Sequence, residues 1–172
     1  MIFLTVGTQF GFDRLVEAVD HCLAQKVIDD AVFAQIGPGR YIPKHMDSAP
    51  SLDRDSFITM VHSCDGIVSH AGMGSITMAL DAGRALLVMP RRAKYGEVVN
   101  DHQVESAMRF EKLGHVLVAY DTDELPEQLA RLRTFVPEGR VANRDGVIER
   151  VRGFLSERVP VAGDHDRRWS FR

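Results

Sequence analysis

The sequence predicts an α/β fold, a doubly wound, mostly parallel sheet of Rossmann-like type, and three observations carry that prediction. Short apolar runs recur at 2–6, 31–36, 66–69, 85–89 and 115–119, the length of strands buried on both faces. Segments with apolar residues at helical spacing separate them. Glycine or proline closes the runs, at Gly7, at Gly37-Pro38-Gly39 and at Pro90, as strand ends require. Strands alternating with helices need crossover connections, and these make a parallel sheet covered by helices.

Taken in order, Ile2-Phe3-Leu4-Thr5-Val6 reads as a buried strand broken at Gly7. Phe12, Leu15, Val16, Val19, Cys22 and Leu23 lie on one stripe of a helix. A second strand spans 31–36, and 40–53 hold one short strand plus loop. Phe57, Ile58 and Val61 mark a short helix before the strand at 66–69. A glycine-rich turn then leads into a helix with Ile76, Ala79 and Leu80 on one face. The strand at 85–89 is followed by a polar loop, 90–99, and a helix carrying Val104, Ala107 and Met108. Gly114 stops that helix before the strand at 115–119. Leu125, Leu129 and Leu132 form another helix, and Val147, Ile148, Val151, Phe154 and Leu155 a last one. The stretch after Pro160, with Trp169, reads as an exposed, disordered tail. One domain over 1–158 and a tail over 159–172 are therefore expected.

A chain of 172 residues can bury a sizeable single core. Its net charge of −3 gives no basic excess for a nucleic-acid partner. Cys22 and Cys64 sit in apolar helical patterns, as buried thiols do, and the seven histidines show no metal-ligand spacing. No apolar run approaches the roughly 18 residues of a membrane span, and 2–6 is too short for a signal-peptide core. The expectation is a cytoplasmic protein.

The chemistry concentrates at strand ends. Val68-Ser69-His70-Ala71-Gly72-Met73-Gly74-Ser75 runs from strand through turn to helix. Such a turn offers unpaired backbone N–H groups at the positive end of a helix dipole, which suits a diphosphate. Gly72 and Gly74 let the backbone approach the anion, and Ser75 adds a hydroxyl. Gly7-Thr8-Gln9, Gln35-Ile36-Gly37 and the polar residues of 90–103 fall at other strand ends. Ligands of doubly wound sheets bind at that carboxyl edge, so four such loops compose one site.

These segments, Thr5-Val6-Gly7-Thr8, Gln35-Ile36-Gly37, 68–75 and Asn100-Asp101-His102-Gln103, resemble the family 28 C-terminal domain. That domain is the donor-binding half of inverting, two-domain GT-B glycosyltransferases, including the transferase that adds GlcNAc to lipid-linked peptidoglycan precursors. The chain is most similar to stand-alone versions of this half. These include the soluble subunit of the eukaryotic dolichol-linked UDP-GlcNAc transferase and small bacterial subunits of capsular and exopolysaccharide synthesis. Met89-Pro90-Arg91 with Lys94-Tyr95-Gly96-Glu97 is similar to the bacterial group in particular. The resemblance runs over about 1–156.

The resemblance implies that Gly7, Thr8, His70, Gly72, Met73, Gly74, Ser75 and Arg91 hold the donor diphosphate. Gln9, Asn100, Asp101, His102 and Gln103 would read the sugar. Blander roles stand beside these: a structural histidine for His70, an N-cap for Thr8, a helix-start residue for Asp101. Arg92 and Lys94 suit a solvated basic edge or anionic lipid equally well. The base would rest near Gln35–Gly37 or near 54–57. Met78 departs from the pattern, since a glutamate contacts the donor ribose there in relatives; Asp81 is one turn further on.

The resemblance further implies no metal and no cofactor, because amides, dipole and cations stabilise the leaving group. The partners would be a UDP-sugar donor, a lipid-linked saccharide acceptor and a membrane-anchored acceptor-binding subunit at the inner face of the membrane. Asp13 and Glu97 are conceivable general bases, yet each also fits a capping or surface role, so the base is expected from the partner, with His70 as the alternative within the chain. A non-catalytic nucleotide-sugar-binding or stabilising subunit is the competing reading. A dinucleotide reductase is disfavoured because Gly7-Thr8-Gln9-Phe10-Gly11 lacks the three-glycine fingerprint.

Overall fold

A computed structural model describes residues 1–139 and 144–158. The chain divides into two units, Met1–Gly139 and Arg140–Arg172. The first unit carries β1 (Ile2–Thr5), α1 (Asp13–Ala24), β2 (Val32–Gln35), β3 (Asp47–Ala49), α2 (Arg54–Ser63), β4 (Gly66–His70), α3 (Met73–Asp81), β5 (Ala85–Met89), α4 (His102–Lys112), β6 (Leu117–Val118) and α5 (Leu125–Leu132). Its six strands are ordered β3-β2-β1-β4-β5-β6, and every pairing is parallel.

Strand periodicity divides the core into two layers. Ile2, Leu4, Val68, Leu87 and Met89 pack with Leu15, Val16 and Val19 of α1 and Leu125, Leu129 and Leu132 of α5. Phe3, Ile67, Leu86 and Val88 face the other way, onto Val61 of α2, Ile76 and Ala79 of α3 and Ala107 of α4. The apolar stripes of α1 and α5 are buried as their spacing predicts. Ile58 and Met108 are not, at 42% and 56% exposed; Ile58 stands about 60° around its helix from the buried Val61, and Met108 about 100° from the buried Ala107.

The second unit contains α6 (Arg144–Arg158). Its expected apolar stripe is exposed, from 36% at Ile148 to 63% at Val147. The spacing defines a face, but among the described residues this unit holds no second element to cover it. The tail expected over 159–172 lies outside the described residues.

The strand order reverses between β1 and β4, where the crossovers leave in opposite directions and a crevice opens. Thr5 pairs in register with Ser69, so the loop after β1 and the turn after β4 emerge side by side at the carboxyl edge.

Candidate donor-binding cleft

His70 ends β4 and is wedged between two glycines. A Cβ at Gly7, whose φ is +78°, would lie 3.1 Å from His70 Cε1, and one at Gly72 would lie 2.3 Å from Nε2. Gly72 therefore admits the imidazole, whereas the sequence reading gave it to the anion. A Cβ at Gly74 meets nothing within 4 Å, so of the two glycines in this turn it is Gly74 that opens on free space. Burial, reinforced by the charge of Arg91 and opposed by a backbone hydrogen bond at Thr5, pushes His70 down to about 4. The ring is neutral near pH 7.

Because the folded pKa lies below the ordinary 6.5, the unfolded chain binds the extra proton first. This contribution to stability is whole above pH 6.5 and is lost as the pH falls towards 4. Denaturant unfolding across that range is expected to show a loss of about 2–3 kcal/mol in the native chain and a flatter profile in His70→Gln. Parallel profiles would mean that His70 is not buried as a neutral ring.

The turn delivers α3 with Gly72 as its N-cap, in extended conformation and without a side-chain capping bond. Ile76 N–H reaches Gly72 O and closes the first turn. Among the described residues, the N–H groups of Met73, Gly74 and Ser75 carry no partner, as helix starts dictate. Gly74 and Ser75 line the cleft. The Met73 side chain, 51% exposed, does not, so Met73 contributes only its place in the first turn.

Arg91 closes the opposite wall. It is 4% exposed, and its Nη2 donates to Val6 O and Phe10 O, each at 2.8 Å. The guanidinium lies 4.9 Å from the centroid of the Phe12 ring. Its Nε is buried and unpartnered among the described residues, and burial lowers its pKa. The fork expected to grip phosphate thus binds two carbonyls; Arg91 shapes the loop after β1 and supplies positive charge.

Together these elements enclose a cleft of about 620 Å³, lined also by Thr8, Gln9, Phe57, Met78, Val98, His102 and Gln103. The model of the glycosyltransferase family 28 C-terminal domain matches residues 1–138. The chain belongs to this glycosyltransferase family. It is 31% identical to the human UDP-N-acetylglucosamine transferase subunit ALG13 over 124 residues, 67% of the chain but 10% of that protein. The subunit of Eremothecium gossypii is 44% identical over 66 residues, 38% of the chain and 30% of that protein. The chain thus spans a tenth to a third of the length of these curated relatives. Its fold is also that of ALG13 solved by NMR, at TM-score 0.58 and 17% identity, over 87% of this chain and 93% of that one. MurG of Acinetobacter baumannii superposes at TM-score 0.57 and 18% identity, over 88% and 49%.

Within this family 28 domain the segment expected to read the sugar divides in two. Gln103, 5% exposed, lines the cleft with His102, and its Oε1 accepts from Arg91 N–H at 3.1 Å. Asn100 and Asp101 do not line it. Asn100 Oδ1 accepts from His102 N–H at 3.3 Å and lies against His102 Nδ1, while Asp101 Oδ1 accepts from Ala93 N–H at 2.7 Å. They hold the segment rather than face a ligand.

Among the described residues the cleft lining contains no carboxylate. Asp13 accepts from Arg40 and Tyr41 N–H, and Glu97 pairs with Arg14 and Arg92 N–H. Both candidate bases are therefore structural. Met78 lines the cleft and Asp81 does not. Phe57 reaches it, whereas the Gln35–Gly37 turn is closed: Ile36 and Gly37 N–H bond to Ala49 O and Pro50 O, and Gln35 Oε1 accepts from Thr5 Oγ1 at 2.7 Å. Among the described residues no three His, Cys, Asp or Glu side chains cluster as a metal site.

Sequence reasoning missed two organising residues, Arg14 and Asp20. Asp20 is 1% exposed and accepts from Tyr41 Oη, Lys44 N–H and His45 N–H at 2.7–3.1 Å. Its signal was a carboxylate inside the apolar stripe of α1. Arg14 carried none, because its partners are remote in sequence.

Proposed function

We propose that this family 28 domain is the donor-binding catalytic subunit of a UDP-sugar-dependent inverting glycosyltransferase that extends a lipid-linked acceptor in polysaccharide biosynthesis. One observation carries the reading: unpaired amides at the start of α3 and the charge of Arg91 converge on a cleft whose lining has no carboxylate to repel a diphosphate. In the transfer, an acceptor oxygen bonds to the anomeric carbon as the bond to the diphosphate breaks. Negative charge then grows on the leaving group, where the α3 amides point. The relatives' names, UDP-N-acetylglucosamine transferase subunits, support a uridine donor.

The acceptor proton needs a base, and no carboxylate of the cleft is available. A membrane-anchored acceptor-binding subunit supplies it and holds this chain at the inner face of the membrane; among the described residues no helix is long and apolar enough to cross one. The same lack of a carboxylate base is what a non-catalytic, donor-sensing subunit would show. Turnover with the acceptor-binding partner separates the two readings.

Calorimetric titration with UDP, GDP, NAD and UDP-sugars, with and without magnesium, tests the donor site. Selective, magnesium-independent UDP binding is expected. In Gln103→Ala the UDP-sugar is expected to weaken about tenfold or more while UDP changes little, as follows when a hydroxyl loses its buried partner. Equal losses for both ligands would remove Gln103 from sugar recognition.

A further inference from the structure

Arg14, in the first turn of α1, does not line the cleft, yet its guanidinium meets the segment that does at two points, Pro90 and Glu97. Nε donates to Glu97 Oε1 at 2.7 Å and Nη2 to Glu97 Oε2 at 2.9 Å. Nη2 also donates to Pro90 O and Nη1 to Asp121 Oδ1, both at 3.1 Å. The same group stacks 4.5 Å from the centroid of Tyr95. Glu97, so held, accepts from Arg92 N–H at 2.8 Å. One residue back, Arg91 N–H donates to Gln103, and Arg91 itself ties down the loop after β1.

The segment 90–101 is otherwise held by exposed bonds, Ala93 N–H to Asp101 and Lys94 and Tyr95 to Asp121. Its regular structure is a single 3₁₀ turn at Ala93–Tyr95, and most of its side chains are half-buried or exposed. Desolvation of Arg14 is outweighed by Glu97, Asp121 and Tyr95 together, which keep its pKa raised, and side-chain exposures of 16% and 11% limit solvent screening of the Glu97 pair. A forked pair with one carboxylate, a bond to a second, another to a backbone carbonyl and a ring face are together beyond an ammonium.

We infer that Arg14 is a positioning residue for sugar recognition: through Glu97 and Pro90 it sets the path of 90–101, and so the placement of Gln103, whose Oε1 takes the Arg91 backbone N–H. The inference rests on the donor-site reading above. Diphosphate contacts made by α3 lie on a different element, and the Arg91 guanidinium keeps its own anchors on Val6 O and Phe10 O.

The test compares the full chain with Arg14→Lys, Arg14→Gln, Glu97→Gln and the Arg14→Gln/Glu97→Gln pair. Each is titrated with UDP and with UDP-GlcNAc, UDP-glucose, UDP-galactose and UDP-glucuronate. The advantage of the preferred UDP-sugar over UDP is expected to fall about tenfold to a hundredfold in every variant, Arg14→Lys included, while UDP affinity stays near that of the native chain. The double variant is expected to lose no more than the worse single one, because both changes break one network. Amide exchange is expected to quicken in 90–101 and not in β1 or β4. An unchanged sugar advantage, full rescue by lysine, or quickened exchange throughout the sheet would overturn the inference while UDP binding stands. Absence of UDP binding in the native chain would overturn the donor-site reading and this inference with it.

Discussion

Gly74→Val is expected to abolish UDP binding in a chain that still folds. A Cβ at this position meets nothing within 4 Å, and valine is no worse than glycine in a helix, so packing gives no reason for instability. The added methyl groups project into the space before the unpaired amides of α3, where a diphosphate must come within hydrogen-bonding distance. Losing that approach is expected to cost about a hundredfold or more in affinity, on the order of 3 kcal/mol. Calorimetry with UDP gives the affinity, and thermal unfolding confirms the fold. A folded Gly74→Val chain with native UDP affinity would move the diphosphate elsewhere. Gly72→Ala makes the contrast, because its Cβ collides with His70 Nε2 and is expected to lower both stability and binding.

Asp20→Ala is expected to do the reverse, destabilising the fold and leaving the cleft intact. Asp20 is buried in the α1 stripe and gathers three donors from 41–45, the segment that leads into β3. Burial pushes its carboxyl up, but the Lys44, Tyr41 and His45 donors outweigh this and hold it below the usual carboxylate range. Alanine leaves those donors without their acceptor, at a cost of about 2–4 kcal/mol. For a unit of this size the melting temperature is expected to fall on the order of 10 °C. UDP affinity at low temperature is expected to be unchanged, since the Asp20 network does not touch the cleft lining. The sign with pH follows: the folded pKa is depressed, so this stabilisation is whole above the ordinary carboxylate pKa and is lost as pH falls below that value through the folded pKa. A native-like melting temperature for Asp20→Ala would show that 41–45 hold their place without it.

Much of this was legible along the chain. Alternating apolar runs and helical stripes determined the parallel α/β class, and the core predicted from Ile2, Leu4, Val68, Leu87, Leu125 and Leu129 is the core observed. Apolar burial is a local, periodic property, and so sequence spacing reports it. Glycine-rich turns at strand ends likewise located the carboxyl-edge site, because backbone that must turn there admits few residues.

What sequence alone determined, then, was the class of fold, the edge that bears the cleft and most of the residues that line it. Tertiary structure decided what each polar group there does. It committed Asp13 and Glu97 to backbone amides and to Arg14, bound Arg91 to two carbonyls, turned Asn100 and Asp101 onto their own segment, and gave Gly72 to the His70 ring. It also left the stripe of α6 exposed. The physical reason is common to all of these. A hydrogen bond or a covered face depends on which remote residue the fold brings to its donor, acceptor or apolar side, and no spacing along the chain records that partner.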